Sequence, residues 1–231
     1  MADKLEAAED LPMALHDMIK DTIAAHKRII FNGNGYSDEW VAEAERRGLP
    51  NIKCMVDAVP ALVKPEAVEI FEKHGVYTKA EMESRAEVMY ETYSKTINIE
   101  ALTMIDMAKK QIVPATIKYQ TSLAESVNAI KAASSAVDTS VQEALMADIS
   151  TNLKDMYVAL AHLEEVAGKA EAMEEGAEQG HYYHDVVFTA MDELRKPADK
   201  LEMLVAKSAW PFPSYGCLLY TSDAADDLIG V

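Results

Sequence analysis

Apolar residues recur at three- and four-residue steps through most of the chain, the pattern of helices that turn one face to a core. The clearest stripe holds Met82, Ala86, Met89, Tyr93, Ile97, Ala101, Met104 and Ala108. It follows Thr78-Lys79-Ala80-Glu81, which has the form of a capping box. The stripe resumes beyond Pro114 through Ile117, Leu123, Val127, Ile130 and Val137. One unbroken helix over 79–135 would be about 85 Å long at 1.5 Å per residue, more than a compact domain holds. A kink or break is therefore expected at Pro114, which has no N–H to give the ladder. A turn over 138–140 leads to a second stripe: Val141, Leu145, Ile149, Met156, Leu160, Leu163, Ala167 and Ala170, with Gly176 and Gly180 marking its end. A third carries Val187, Met191, Leu194, Leu201 and Leu204, with Pro197 as the expected kink. The predicted fold is all-α: short helices and turns, followed by an antiparallel bundle of three long, partly kinked helices.

The first third is written in shorter pieces. Asp10 is placed to cap a helix with Pro12 in its first turn and Leu15, Ile19 and Ile23 along one face. Its end is basic (His26, Lys27, Arg28), which suits the negative end of a helix dipole. Ser37 reads as the N-cap of a second helix, stopped by Gly48 with Pro50 beyond. Residues 51–63 read as irregular, with a turn near Pro60. Pro65 opens another helix and Gly75 closes it.

Two islands interrupt this helical code: residues 31–40 (FNGNGYSDEW) and 210–216 (WPFPSYG). Aromatic, glycine and proline residues in fixed order are harder to reach by chance than an amphipathic stripe. Asn32, Gly33, Asn34, Gly35 and Trp40 in the first, and Trp210, Pro211, Phe212 and Pro213 in the second, are the candidate structural residues. Asn32-Gly33 and Asn34-Gly35 are expected to supply left-handed backbone angles in tight turns.

Charge narrows the partners. The 22 basic and 39 acidic residues give a net charge of −17, which repels phosphate backbones and anionic lipid. Nucleic acid and membranes are not expected partners, and no apolar run approaches the roughly 18 residues of a membrane span. The first residues lack the basic start and apolar core of a signal peptide. Cys54 and Cys217 are the only cysteines and have no metal-type spacing, so neither a disulfide framework nor a zinc site is expected. A cytoplasmic location follows by default.

The candidate chemistry is thin. Residues 32–35 could suggest a phosphate cradle, but they lack the Lys-Ser/Thr of a P-loop and follow a helix rather than a strand. His181 and His184 stand three apart, and Glu178 three before His181, a spacing that metal-binding helices use. Di-iron bundles need two Glu-x-x-His motifs and two further inward glutamates. A second motif is absent, His162 and Glu165 run in the reverse order, and Gly180 is expected to break the helix between Glu178 and His181. Glu178, His181 and His184 are weak metal candidates, and a surface cluster is the simpler reading. Glu100, Asp106 and Lys109 read as a charged face, and the methionine and tyrosine stripe as core. No nucleophile–base constellation is present, so no catalytic or cofactor-binding residue is assigned.

Several stretches together resemble the C-terminal part of the type III glutamine synthetases. They are residues 26–36 (HKRIIFNGNGY), 73–78 (KHGVYT), 95–101 (KTINIEA), 104–110 (MIDMAKK), 181–183 (HYY) and 210–216. Their order covers almost all of 1–216. Residues 75–93 are also similar to the closing helix of the catalytic domain in shorter glutamine synthetases, which begins with Gly-Val-Phe-Thr. The resemblance implies that residues 1–113 end the catalytic domain. It also implies that 114–216 form a type III helical extension sharing the long helix 79–135. The family joins glutamate and ammonia using ATP and a divalent metal such as magnesium. Its metal-binding glutamates, nucleotide-contacting strands and substrate arginines lie upstream of the matched region, so the resemblance carries no catalytic residue onto this chain. It implies a fragment that is inactive alone and whose partners are the rest of the enzyme chain and further copies in a ring-type oligomer. Met1 resembles an internal position of a family helix. After Gly216 the sequence departs from the family, and residues 217–231 resemble a translated sequencing adapter rather than a native tail.

Two other functions fit the residues. One is a standalone acidic helical-bundle interaction module without catalysis. The other is a metal-dependent bundle enzyme using Glu178, His181 and His184.

Overall fold

The structure is a computed structural model that describes residues 2–213. Met1, the Ser214-Tyr215-Gly216 end of the second island and the adapter-like residues 217–231 lie outside the described residues. The described part is helical throughout its regular elements, as the hydrophobic pattern predicts. It forms two compact units, Met1–Asp57 and Ala58–Val231.

The first unit holds α1 (Ala2–Glu6), α2 (Leu11–His26), a 3-10 turn (Lys27–Ile29) and α3 (Asp38–Arg46). Local chemistry sets their ends. The Met13 N–H donates to the Asp10 carboxylate at 3.2 Å, and Pro12 lies in the first turn of α2. The Trp40 N–H donates to Ser37 Oγ at 3.4 Å, and Gly48, at φ +70°, ends α3. No residue of α2 is buried, and Leu15, Ile19 and Ile23 are 42%, 48% and 53% exposed.

Residues 51–63 depart from expectation. Met55–Leu62 is a helix, α4, with Pro60 inside it. Val56 and Val59 are buried on its inner side. Two buried valines contribute about 3–6 kcal/mol, which offsets the roughly 3 kcal/mol an internal proline costs.

The second unit continues with α5 (Pro65–Lys73), closed by Gly75 at φ +63°, and α6 (Lys79–Met107). The capping box at the start of α6 is complete. Thr78 Oγ1 accepts from the Glu81 N–H, and the Glu81 carboxylate accepts from the Thr78 N–H at 2.7 Å. A π turn (Ala108–Ile112) joins α6 to α7 (Val113–Ala133). The discontinuity expected at Pro114 therefore takes the form of a widened turn just ahead of it, and the chain stays helical. The Val113 N–H bonds to Ala108 O, five residues back, which makes room for a ring that would crowd the preceding turn.

After a turn in which Asp138 accepts from the Ser140 N–H at 2.9 Å, α8 (Ser140–Glu171) runs back along this helix. Lys131 pairs with Glu143, Gln120 Nε2 donates to Met146 O, and Lys109 pairs with Glu164. One number falls as the other rises, so the two helices are antiparallel. Gly176, at φ +139°, turns the chain into α9 (Ala177–Tyr182), a second π turn (Tyr183–Val187) and α10 (Phe188–Leu204). Gly180, expected to break a helix, lies buried within α9, so the break belongs to Gly176 alone. Pro197 is buried in α10, which continues past it to Leu204.

The core forms where the three long pieces meet. Ile149, Met156, Leu160 and Leu163 of α8 pack with Leu194 and Leu201 of α10 and with Ile97, Ala101 and Ile112. Along α6 the buried stripe is Met82, Ala86, Tyr90, Ser94, Ile97 and Ala101. Met89, read as core, is 40% exposed, and Tyr93 is half-buried. Periodicity admits either of two adjacent residues, and the neighbouring helices choose between them. Ile117, near the start of α7, and Val137 and Val141, at the turn into α8, likewise stand exposed.

Candidate functional site

The first island is a clamp built on one arginine. Phe31 and Trp40 stack with ring centroids 4.0 Å apart and planes 24° from parallel. The Arg47 guanidinium sits 5.7 Å from the Trp40 ring centre and 6.0 Å from that of Phe31. Its Nη1 donates to Ile30 O at 2.7 Å and Arg28 O at 3.1 Å, and its Nε to Glu43 at 2.6 Å. One planar cation thus ties the end of the 3-10 turn, the aromatic pair and α3 together. Glu43 also accepts from Arg46, and the hydrogen bonds from Arg46 and Arg47 pull its carboxyl down to about 2.

The turn inside the island works differently from the sequence expectation. Neither Gly33 nor Gly35 has a positive φ. Gly33 is needed for space: a Cβ there would lie 2.5 Å from Phe31 Cζ. Asn34 shapes the turn through its side chain, whose Oδ1 accepts from the Tyr36 N–H at 3.0 Å, while Ser37 Oγ donates to Asn34 O. Asn32 stands exposed in the loop. Glu43 and Arg47 carried no signal of their own in the sequence, because a charged residue on a short helix reads as a solvated face. Arg47 finds its partners 17 and 19 residues away.

The second island packs on the bundle. Trp210 and Phe212 meet edge-on at 6.3 Å and both rest on the hydrophobic core, while Pro211 and Pro213 are exposed. With Met104, Met107, Leu194 and Ala198 they line a cavity of about 310 Å³. Arg195 and Asp199, paired at 3.3 Å, stand at its edge. The lining is mainly apolar and holds no nucleophile–base arrangement.

Glu178 is exposed on α9, and His181 is half-buried on the same helix. His184 falls in the π turn, where the one-turn spacing of an α-helix no longer applies, and its Nδ1 lies 2.7 Å from Asp185. Among the described residues no group of three or more His, Cys, Asp and Glu side chains is arranged to hold a metal ion. His162 is exposed and Glu165 pairs with Lys169. Asp106 and Lys109, read as a charged face, pair with Lys110 and Glu164. Among the described residues no helix is long and apolar enough to cross a membrane.

The sequence profile of the glutamine synthetase C-terminal domain matches residues 14–131, which hold the first island, the capping box and the helix through the first π turn. The chain belongs to that family. The chain is 37% identical over 215 residues to a glutamine synthetase of Butyrivibrio fibrisolvens, covering 93% of this chain and 31% of that protein. It is 29% identical over 211 residues to a type-3 glutamine synthetase of Dictyostelium discoideum, with 90% and 29% covered. To a glutamine synthetase of Bacteroides fragilis it is 30% identical over 212 residues, with 90% and 29% covered. The chain spans about three-tenths of the length of these relatives.

Proposed function

We propose that this chain is the C-terminal helical region of a type III glutamate–ammonia ligase and serves it by packing and by subunit contact. The observation that carries the reading is similarity to glutamine synthetases across nine-tenths of the chain, on top of the family match. ATP, magnesium, glutamate and ammonia would be handled by the rest of the enzyme, and the chain alone would be inactive. On this reading residues 1–113 complete the catalytic domain and 114–216 form the extension. The enzyme would work in the cytoplasm.

Packing supports the architectural role. A sixteen-residue helix with no buried residue, α2, presents Leu15, Ile19 and Ile23 to solvent, an apolar face that suits contact with another surface. The remaining partners are the rest of the ligase chain and further copies in a ring-type oligomer.

A chimera tests this. Residues 2–213 replace the matching stretch of the Butyrivibrio fibrisolvens glutamine synthetase, and ATP-dependent glutamine formation and oligomer mass are measured. The expected result is an active, oligomeric chimera beside an inactive isolated chain. An unassembled, inactive chimera, or glutamine formation by the chain alone, would overturn the proposal.

A further inference from the structure

Three buried side-chain polar atoms lack a hydrogen-bond partner among the described residues: Ser94 Oγ, Asn98 Oδ1 and Thr116 Oγ1. The residues that carry two of them, Ser94 and Asn98, line one pocket. Ser94 and Asn98 sit one turn apart on α6 and face the corner between α8 and α9, where they meet Gln179 and Tyr183 around a cavity of about 230 Å³. Ser94, Gln179 and Tyr183 are 4%, 7% and 2% exposed, so this floor is withdrawn from bulk water. An unpartnered buried polar atom costs about 1–3 kcal/mol, and two in one cavity mark a place prepared for something to bond to.

The chemistry of the pocket restricts the occupant. Asn98 Oδ1 can only accept, and a serine hydroxyl can accept or donate, so both atoms are satisfied by an N–H or O–H donor. Gln179 adds no free amide hydrogens, because its Nε2 donates to Ala170 O at 3.1 Å and to Met173 O at 3.5 Å. The rim carries Glu91, Glu171 and Glu175 against a single cation, Lys95, which is paired with Glu91. An anion would meet this surplus of carboxylate. A hard metal ion would need several converging oxygen ligands, and among the described residues no group of three or more acidic or imidazole side chains is arranged to hold one. A group with several N–H donors and a positive charge meets both the floor and the rim.

We propose that this pocket binds the ammonium group of a small primary-ammonium compound, with N–H donors on Ser94 Oγ and Asn98 Oδ1 and its charge balanced by Glu171 and Glu175. Both glutamates are exposed, so the rest of the ligand can extend toward solvent. Burial, and then the Glu171 charge, raise the Tyr183 phenol, which keeps that hydroxyl neutral beside the ammonium group. Three sources share the chemistry: the ammonium ion, an alkylamine, and the α-amino group of an amino acid. For an amino acid, Lys95 would face the carboxylate. The site does not depend on ligase activity, and its test does not measure glutamine synthesis.

Titration calorimetry of the full chain with ammonium chloride, methylammonium chloride and L-alanine tests the site, with tetramethylammonium chloride as the cation that cannot donate. The expected result is saturable one-to-one binding of at least one N–H-bearing probe and none of tetramethylammonium. Methylammonium without alanine assigns an amine site, tighter alanine binding that Lys95→Gln weakens assigns an amino-acid site, and ammonium alone assigns the ion. Asn98→Leu should weaken binding at least tenfold. The doubly exposed change Glu171→Gln with Glu175→Gln, which leaves the packed floor untouched, should weaken it several-fold. No saturable binding of any of the three probes, equal binding of tetramethylammonium, or unchanged binding in the glutamine double variant would overturn the proposal.

Discussion

Glu43 takes hydrogen bonds from two guanidinium groups, and those bonds lose their charge assistance when its carboxyl protonates. Its pKa is drawn from 4.5 to about 2. A carboxyl with a depressed folded pKa contributes stability above its unfolded pKa and loses that contribution as pH falls toward the folded one. The Arg47 clamp should therefore loosen between about pH 4.5 and 2. Trp40 fluorescence in a Trp210→Phe background should report the change, and Glu43→Gln should remove its pH dependence in that window. Thr116 makes the opposite kind of prediction. It is fully buried and its hydroxyl has no partner among the described residues. Thr116→Val should raise stability by about 1 kcal/mol in urea unfolding, since it removes a desolvated hydroxyl and keeps the shape.

At the scale of elements, short-range devices fix where the helices begin. Loss of the Thr78 side chain leaves the Glu81 N–H without its acceptor and removes the Thr78 Oγ1 bond to the Glu81 carboxylate, which keeps only the bond from the Thr78 N–H. Thr78→Ala should destabilise the second unit by about 1 kcal/mol in thermal unfolding, and Thr78→Ser should not. The two π turns follow another rule. One lies just ahead of Pro114, whose ring the wider turn accommodates, and the other joins α9 to α10 at the buried Tyr183. Neither has a sequence signature beyond the proline, because an i→i+5 turn uses the same residues as an α-helix.

For the whole molecule, the uneven distribution of burial is the informative feature. The long helices bury Leu160, Leu163, Leu194 and Leu201 together, whereas α2 buries nothing. A paired change of Ile19→Lys and Ile23→Lys should leave the unfolding midpoint almost unmoved, within about 0.5 kcal/mol, since both are surface positions. The same change should lower self-association in analytical ultracentrifugation if the exposed face makes subunit contacts. Unchanged association would place those contacts elsewhere.

What the sequence determined by itself is local and covalent in origin. Asp10, Ser37 and Thr78 could be read as caps because a cap bonds to amides two or three residues away. Gly48 and Gly75 could be read as stops because only a residue without a Cβ adopts their backbone angle cheaply. The all-α class followed from the stripes, and the family from the ordered islands. Tertiary structure decided what depends on distant neighbours. It turned Tyr90 inward in place of Met89, kept α4 helical across Pro60, and set Phe31 against Gly33. It brought Arg47 to its carbonyls, and it placed Ser94 and Asn98 at a polar pocket shared with the α8–α9 corner. A single stripe of side chains does not encode which atoms will face it, because that contact exists only once the other helix has arrived.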